Sequence, residues 1–237
     1  MRKAWLVGMA GLASGWLTAA HAADDGDAQW ARQCPGMAAW AKAQQARVAA
    51  ERKAHPPARP SQPALRNELL QMGDADTKAR HAAIAGGGRD PALFKAVYDV
   101  DGRNLPRLKQ IDAGHGFPTP AQVGNEGVHA AWLIVQHADR DPGFQMHVLE
   151  ELQARPGHGG VDAQEYAALT DRVLLARHGP QRYGTQFDPG SVKDGELKPR
   201  PMEDAIHVDQ RRAAIGLPPL ADYECLLREV YKAPAKS

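Results

Sequence analysis

The residues best suited to chemistry lie between Trp132 and Phe187. A helix with no Asp, Glu, Lys or Arg ends in Gln136-His137-Ala138-Asp139, and the segment 181–187 carries amide, hydroxyl and phenol groups. An imidazole beside a carboxylate can act as a general base, and amides and hydroxyls can hold a polar ligand. Because polar side chains on an apolar helix need partners, the region predicts a built-in polar network or a binding site.

His137 is the first candidate for catalysis. It lies at the carboxyl end of a helix predicted to be buried; the helix end favours an imidazolium, whereas burial disfavours it. A general base needs an orienting acid, and Asp139, Asp141 or Asp171 could serve. The catalytic candidates are therefore His137, Asp139 and Asp171, and the alternative is a core histidine whose two nitrogens are hydrogen-bonded for structural reasons.

A second set of candidates consists of side chains able to meet a polar ligand. A buried amide without a partner costs about 1–3 kcal/mol, so each amide binds either backbone groups or a ligand. Asp171 and Arg172 do not pair with each other, because adjacent helical positions point in different directions. Instead of binding a ligand, Asp171 and Arg172 could each hold a neighbouring segment of the chain in place. The ligand-binding candidates are Gln136, His137, Gln145, Arg172, Tyr183, Thr185 and Gln186.

Other kinds of site find little support. The ten histidines form no His-Glu-x-x-His pattern, and His115, His129, His147 and His158 are scattered. No metal site and no cofactor are therefore predicted. The triplet Gly86-Gly87-Gly88 precedes no Lys-Ser or Lys-Thr pair, and the chain lacks the Gly-x-Ser-x-Gly pattern of serine hydrolases.

The first 22 residues have the features of a secretory signal peptide. Arg2 and Lys3 precede an uncharged apolar run, and Ala20-His21-Ala22 matches a small-x-small cleavage site. The apolar run is short for a membrane span. We expect a periplasmic or secreted protein, cleaved near Ala22, with no membrane association in its mature form.

The charge balance is close to neutral. Lys and Arg number 29 and Asp and Glu 28, with Arg2 and Lys3 in the predicted leader. A nearly neutral chain gives no electrostatic basis for binding nucleic acid. The predicted partner is an unidentified small molecule, peptide or protein.

The two cysteines, Cys34 and Cys225, lie near the two ends of the predicted mature chain. In an exported protein such a pair predicts one disulfide, which would join the first helix to the last. The loop-entropy model gives the bridge about 5 kcal/mol as an upper value. Two unpaired buried thiols are the alternative.

Hydrophobic periodicity predicts a mainly α fold, a compact set of helices around a buried central helix, with one small β-hairpin. The central helix is predicted near Val128 to Ala138, which is apolar on all sides. The hairpin is predicted from Tyr183–Phe187 and Glu196–Lys198. Two short helices are expected between Leu93 and Ile111. The predicted domains are the signal peptide (1–22), an N-terminal helix with a proline-rich linker (23–62), a helical core domain (63–231) and a flexible tail (232–237).

These segments resemble a bacterial family, the domain of unknown function 6624, from about Leu65 to Tyr223. Residues 23–62 fall outside the resemblance, which implies no activity. The shared features are Asp76 and Arg80, Gly116-Phe117-Pro118-Thr119, Val123-Gly124, Trp132, Gln136-His137-Ala138-Asp139, Phe144-Gln145, Asp171-Arg172-Val173, Gln181, Tyr183–Gln186, Pro201, Asp204, Arg211-Arg212, Gly216-Leu217 and Tyr223.

Three hypotheses for the function follow. The first is an exported binding module with a polar site around His137. The second is a metal-independent hydrolase or transferase that uses His137 with an acidic partner, although no nucleophile is evident. The third is a purely structural domain whose polar residues fix the hairpin on the helices.

Overall fold

The computed structural model describes residues 30–86, 90–188, 191 and 196–230. The predicted signal peptide and tail lie outside the described residues, as do Gly87 and Gly88. The described chain is mainly helical, as the sequence predicts. None of its helices is both long enough and apolar enough to cross a membrane.

The described residues form two compact units, called here the central unit (Pro57–Tyr166) and the terminal unit (residues 30–56 and 167–230). The helices include α1 (Pro35–Ala54), α2 (Pro63–Ala85), α3 (Pro91–His115), α4 (Pro120–Gln136), α5 (Pro142–Ala154), α6 (Ala163–Ala176), α7 (Val208–Ala214) and α8 (Leu220–Val230). Short 3-10 helices lie at Pro156–Gly160 and Ala205–His207.

Helix α4 is the buried helix of the central unit. Val128, Trp132 and Val135 are fully buried, and α4 packs on α2, α3 and α5. Its start is fixed locally, because Pro120 occupies the first helical position and the Gln122 side chain accepts the Thr119 backbone N–H at 2.9 Å. The burial of this helix is as predicted, but it begins eight residues before the predicted Val128, and Gly124, at φ +72°, interrupts its helical backbone near the start.

Helix α3 is one continuous helix of 25 residues, and the expectation of two short helices is wrong. Pro106 lies in its interior, where proline removes one backbone hydrogen bond. The buried residues Val97, Val100, Asn104, Leu108 and Ile111 form a single stripe across the proline. Burial of this stripe outweighs the local cost of Pro106.

The terminal unit joins the two ends of the described chain. Cys34 and Cys225 form a disulfide with a Cα–Cα distance of 5.8 Å, which confirms the predicted bridge. Helix α1 also reaches the Gly216 carbonyl through Trp40 Nε1 at 3.1 Å and Gln44 Nε2 at 2.9 Å. Long-range covalent and polar links thus hold the N-terminal helix to the C-terminal segment.

The predicted β-hairpin is not found, because the described residues contain no sheet. Phe187–Pro199 and Gln181–Met202 are isolated bridges. Several backbone N–H groups of this segment donate to a side chain, since Asp171 accepts from residues 182, 183 and 185, whereas Asp188 and Arg200 donate to the backbone carbonyls of Lys198 and Gln186. The donors to Asp171 are unavailable to a strand ladder. The turn residues 189–190 and 192–195 lie outside the described part.

Candidate functional site

His137 occupies the C-cap position of α4, where its N–H bonds to the Leu133 carbonyl at 3.1 Å. Its side chain is 6% exposed, and Nδ1 lies 2.8 Å from Oδ2 of Asp76, which is 3% exposed. Asp76 comes from the middle of α2. The packing of α2 on α4 therefore places a buried carboxylate beside the imidazole.

Arg80 extends this pair toward the surface. Its Nε lies 3.3 Å from Oδ1 of Asp76, one turn earlier on α2, and its Nη2 donates to Asp101 Oδ1 of α3 at 2.8 Å. Arg80 and Asp101 are 17% and 32% exposed. Burial raises the pKa of Asp101 above its usual value, although Arg80 opposes the rise. We call Asp76, Arg80, Asp101 and His137 the His137 cluster.

The backbone around His137 is held by a neighbouring amide. Gln145 of α5 is almost fully buried, and its Nε2 donates to the carbonyls of Val135 at 3.0 Å and Gln136 at 3.3 Å. The last carbonyls of a helix have no intrahelical donor, so these bonds satisfy the buried end of α4. Gln145 thereby has a structural role that fixes the position of His137.

An aromatic contact borders the cluster. The guanidinium carbon of Arg140 lies 4.6 Å from the ring centroid of Tyr98, which precedes Asp101 by three residues on α3. Residues three apart on a helix share a face, so this cation–π pair lies on the same side of α3 as Asp101. It ties the segment after α4 to the helix that supplies the outer carboxylate.

Asp171 forms a second polar centre, in the terminal unit. Its Oδ1 accepts the N–H groups of Arg182 at 2.7 Å and Tyr183 at 2.9 Å. Its Oδ2 accepts the N–H of Thr185 at 2.9 Å and the Thr185 hydroxyl at 2.8 Å. Burial raises the pKa of Asp171, and the hydrogen bonds from these residues oppose that rise. A single carboxylate thus shapes the whole loop.

Gln181 completes this loop from within. Its Oε1 accepts the Gln186 N–H, and its Nε2 donates to the carbonyls of Gln186 and Arg200, each at 2.9 Å. The Gln186 amide donates to the Thr185 hydroxyl at 3.1 Å. We call Asp171, Gln181 and residues 182–186 the Asp171 loop. The polar groups of this loop form hydrogen bonds with one another, which is the arrangement expected of a structural network.

Arg212 of α7 joins the same network. It is fully buried, with Nη1 donating to the Tyr183 carbonyl and Nε to the Pro218 carbonyl, both at 2.6 Å. Its guanidinium carbon lies 5.1 Å from the Tyr223 ring centroid. Gly184, at φ +73°, lets the chain pass Leu220, whose Cδ1 would lie 3.0 Å from any added Cβ.

The site residues predicted from the sequence belong to two different units of the structure. His137, Gln136 and Gln145 belong to the central unit, and Asp171, Arg172, Tyr183, Thr185 and Gln186 belong to the terminal unit. Gln136 and Arg172 are buried, whereas Asp139 is exposed. Asp141, the other acid considered for His137, caps α5 through Phe144 N–H at 3.0 Å. A catalytic or binding role for any of these residues stays a prediction.

Sequence reasoning missed the actual partners of these groups. The family resemblance includes Asp76, Arg80, Gln181 and Arg212 but implies no role for them. The sequence could have indicated Asp76 and Arg80, because these two charged residues, four positions apart, interrupt a helical stripe that is otherwise apolar. No comparable local signal identifies Arg212, whose hydrogen-bond acceptors lie 29 and 6 residues away.

A third polar group lies at the start of α6. Glu165 accepts the Asp162 N–H at 2.9 Å, Asp162 accepts the Glu165 N–H at 2.7 Å, and His129 Nδ1 contacts Glu165. Burial and the charge of Glu165 raise the pKa of Asp162 to about 7. Burial lowers the pKa of His129, but Glu165 and Asp162 together more than reverse this, so the net shift is upward.

Metal-ligand atoms come together at one place among the described residues. One ligand atom from each of Asp112, His147 and Glu151 lies within 4.8 Å of the others. Asp112 comes from α3, and the other two are one turn apart on α5.

Replacement of Asp171 by Asn should destabilise the protein by about 3–5 kcal/mol. The amide has one acceptor oxygen, so its NH₂ group would face the buried donors of Thr185. Urea unfolding measures the loss. Asp74→Asn, at an exposed position paired only with Lys78 on α2, is the matched control and should change stability by less than about 0.5 kcal/mol. Equal effects of the two substitutions would contradict the role given to Asp171.

Stability should also fall as the pH rises. The folded protein holds a proton on Asp162 up to about pH 7, whereas the unfolded chain releases it near 3.8. The folded state therefore binds more protons in this window, and the raised pKa of His129 extends the effect above 6.5. We expect the free energy of unfolding to fall by about 3 kcal/mol between about pH 5 and 7.

Asp162→Asn should flatten this pH dependence. Asn keeps an oxygen for the Glu165 N–H and remains a favourable N-cap, but it does not titrate. Urea unfolding of parent and variant across the pH range measures the two slopes. Identical slopes would show that Asp162 is not the group responsible.

Comparison with known proteins places the chain in a family. No curated protein and no solved structure matches the chain. One family model matches residues 63–236, which is more than half of the 237 residues. The chain therefore belongs to the Family of unknown function (DUF6624).

Proposed function

We propose that the protein is a ligand-binding module whose site is the His137 cluster. The observation that carries the proposal is the 2.8 Å contact between two nearly buried ionisable groups, His137 and Asp76. Arg80 and Asp101 continue this contact toward solvent. A ligand that reaches the cluster would meet carboxylates, a guanidinium and an imidazole, so a small polar ligand fits it best.

Energetics favour a function for this cluster over a purely structural role. Buried ion pairs lose hydration, and apolar residues of similar volume often stabilise a protein as well or better. The surrounding helices α2, α3 and α4 already bury apolar side chains such as Leu69, Leu108 and Val135. Clusters of titratable groups with environments of this kind are enriched at functional sites.

The Asp171 loop has an architectural role in this proposal. Tyr183, Thr185 and Gln186 are engaged with Asp171, Gln181 and each other, so they shape the terminal unit. Gln136 and Gln145 support the end of α4. Of the residues predicted to contact a ligand, we keep only His137. We add Asp76, Arg80 and Asp101, which are linked to it by successive polar contacts.

Export belongs to the same proposal. Residues 1–22 have the sequence pattern of a signal peptide, and the Cys34–Cys225 disulfide supports residence in an oxidising compartment. A periplasmic or secreted binding module would meet small solutes directly.

General-base catalysis is the second candidate. The favouring observation is that the Asp76 carboxylate lies at Nδ1, where it would hold a proton on that nitrogen and make Nε2 the basic one. In this case the protein would be a metal-independent hydrolase or transferase, with His137 as the base and Asp76 as the residue that orients it.

A thermal-shift screen of the full chain tests the binding proposal. The probes are the common amino acids, dipeptides, simple sugars and dicarboxylic acids. At least one should raise the melting temperature of the parent by about 2–4 °C, and His137→Gln should abolish that shift. Turnover of p-nitrophenyl acetate, lost in His137→Gln and insensitive to chelators, would favour catalysis instead.

Two further variants keep the screen interpretable. His81→Gln changes an exposed histidine on α2 and should respond to the probe like the parent. Asp76→Asn with His137→Gln removes both partners together, leaves no buried charge unpaired at His137, and should remain folded but unresponsive. A probe that shifts all four proteins equally, or a panel without any shift, would contradict the proposal.

A further inference from the structure

A separate group of side chains in the central unit has the composition of a metal site. His147 Nε2 lies 2.9 Å from Asp112 Oδ2 and 3.1 Å from Glu151 Oε1. His147 and Glu151 are one turn apart on α5, and Asp112 faces them from the last turns of α3. Because the His147 side chain is 51% exposed, an ion could enter from solvent.

The second observation is an unsatisfied carboxylate oxygen. The Asp112 side chain is 8% exposed, and its buried Oδ1 has no hydrogen-bond donor among the described residues. Two carboxylates facing each other need a proton or a cation between them, and a buried oxygen without a donor points to the same need.

We propose that Asp112, His147 and Glu151 bind one divalent transition-metal ion, with Zn²⁺ as the representative ion. One imidazole nitrogen and two carboxylate oxygens form a donor set that Zn²⁺ accepts, and water can fill the remaining position. The site lies outside the His137 cluster and does not depend on its proposed role.

Two of the three ligand distances are close to those of a zinc site. In a tetrahedral zinc site with bonds of about 2.0–2.1 Å, ligand atoms lie about 3.3 Å apart. The two nitrogen–oxygen distances here are 2.9 and 3.1 Å, so these pairs must open by a few tenths of an ångström, and all three ligand atoms lie within 4.8 Å of one another. The ion would take the place of a proton on Nε2.

Neighbouring groups hold the carboxylate of Glu151, one of the proposed metal ligands, in a defined orientation. Its Oε2 accepts the Phe117 N–H at 3.1 Å and contacts Arg155, whose Nη1 donates to the Phe117 carbonyl at 2.7 Å. Oε1 is thereby directed toward His147. Such outer hydrogen bonds are the usual means of orienting a carboxylate ligand, while the charge of Arg155 moderates the affinity.

Calorimetric titration of Zn²⁺ into the full chain, first freed of metal with a chelator, tests the site. We expect one ion per chain with a dissociation constant of about 10 μM or tighter. His147→Gln should raise this constant at least about tenfold, and it should fold because His147 is half exposed. Asp112→Asn should weaken binding likewise, with folding verified by circular dichroism.

The matched control is His207→Gln. His207 lies 2.7 Å from a single carboxylate, Asp204, and has a similar exposure of 52%, but it is outside the proposed donor set. This variant should bind Zn²⁺ like the parent. Absence of binding in the micromolar range would overturn the proposal. So would equal affinities of parent and His147→Gln, or equal weakening by His147→Gln and His207→Gln, which would indicate adventitious histidine binding.

Discussion

The constraint on which the central unit depends is the burial of the carboxyl end of α4. A helix that is apolar on all sides carries its last carbonyls and its C-cap residue into the interior, where each polar group needs a partner. Gln145 satisfies the carbonyls of Val135 and Gln136, and Asp76 meets the imidazole of His137. The site follows from this constraint, since the helix end delivers an ionisable ring to a place from which water is largely excluded.

The buried polar groups of the terminal unit also need hydrogen-bond partners, but they find them in a different way. There one carboxylate, Asp171, accepts four hydrogen bonds from a short segment, and the Arg212 guanidinium takes a carbonyl of that segment. The result is a network of side-chain hydrogen bonds without a strand ladder. Both centres contain buried charged groups, but only the His137 cluster runs from a buried imidazole to partly exposed charges. This difference is the basis for assigning binding to one and architecture to the other.

Local chemistry in the sequence accounts for much of the fold. Prolines at the first helical positions, the caps at Thr119 and Asp141, and the apolar run of α4 all act over a few residues, so the order of the amino acids is enough to predict them. What could not be predicted depends on distant partners. The continuity of α3 through Pro106 rests on packing, the loss of the hairpin rests on Asp171, and the carboxylate beside His137 comes from another helix. The sequence shows which chemistry a histidine can perform, but not which carboxylate lies beside it in the folded protein.

The protonation of the His137 ring, observed by ¹⁵N NMR, reports directly on its pairing with Asp76. An Asp76 carboxylate at Nδ1 should keep a proton on that nitrogen in the parent protein, and Asp76→Asn should remove this preference. We expect the parent to show an Nδ1-protonated ring and the variant to show a changed tautomer ratio. A ring protonated only on Nε2 in the parent, with no response to Asp76→Asn, would contradict this pairing.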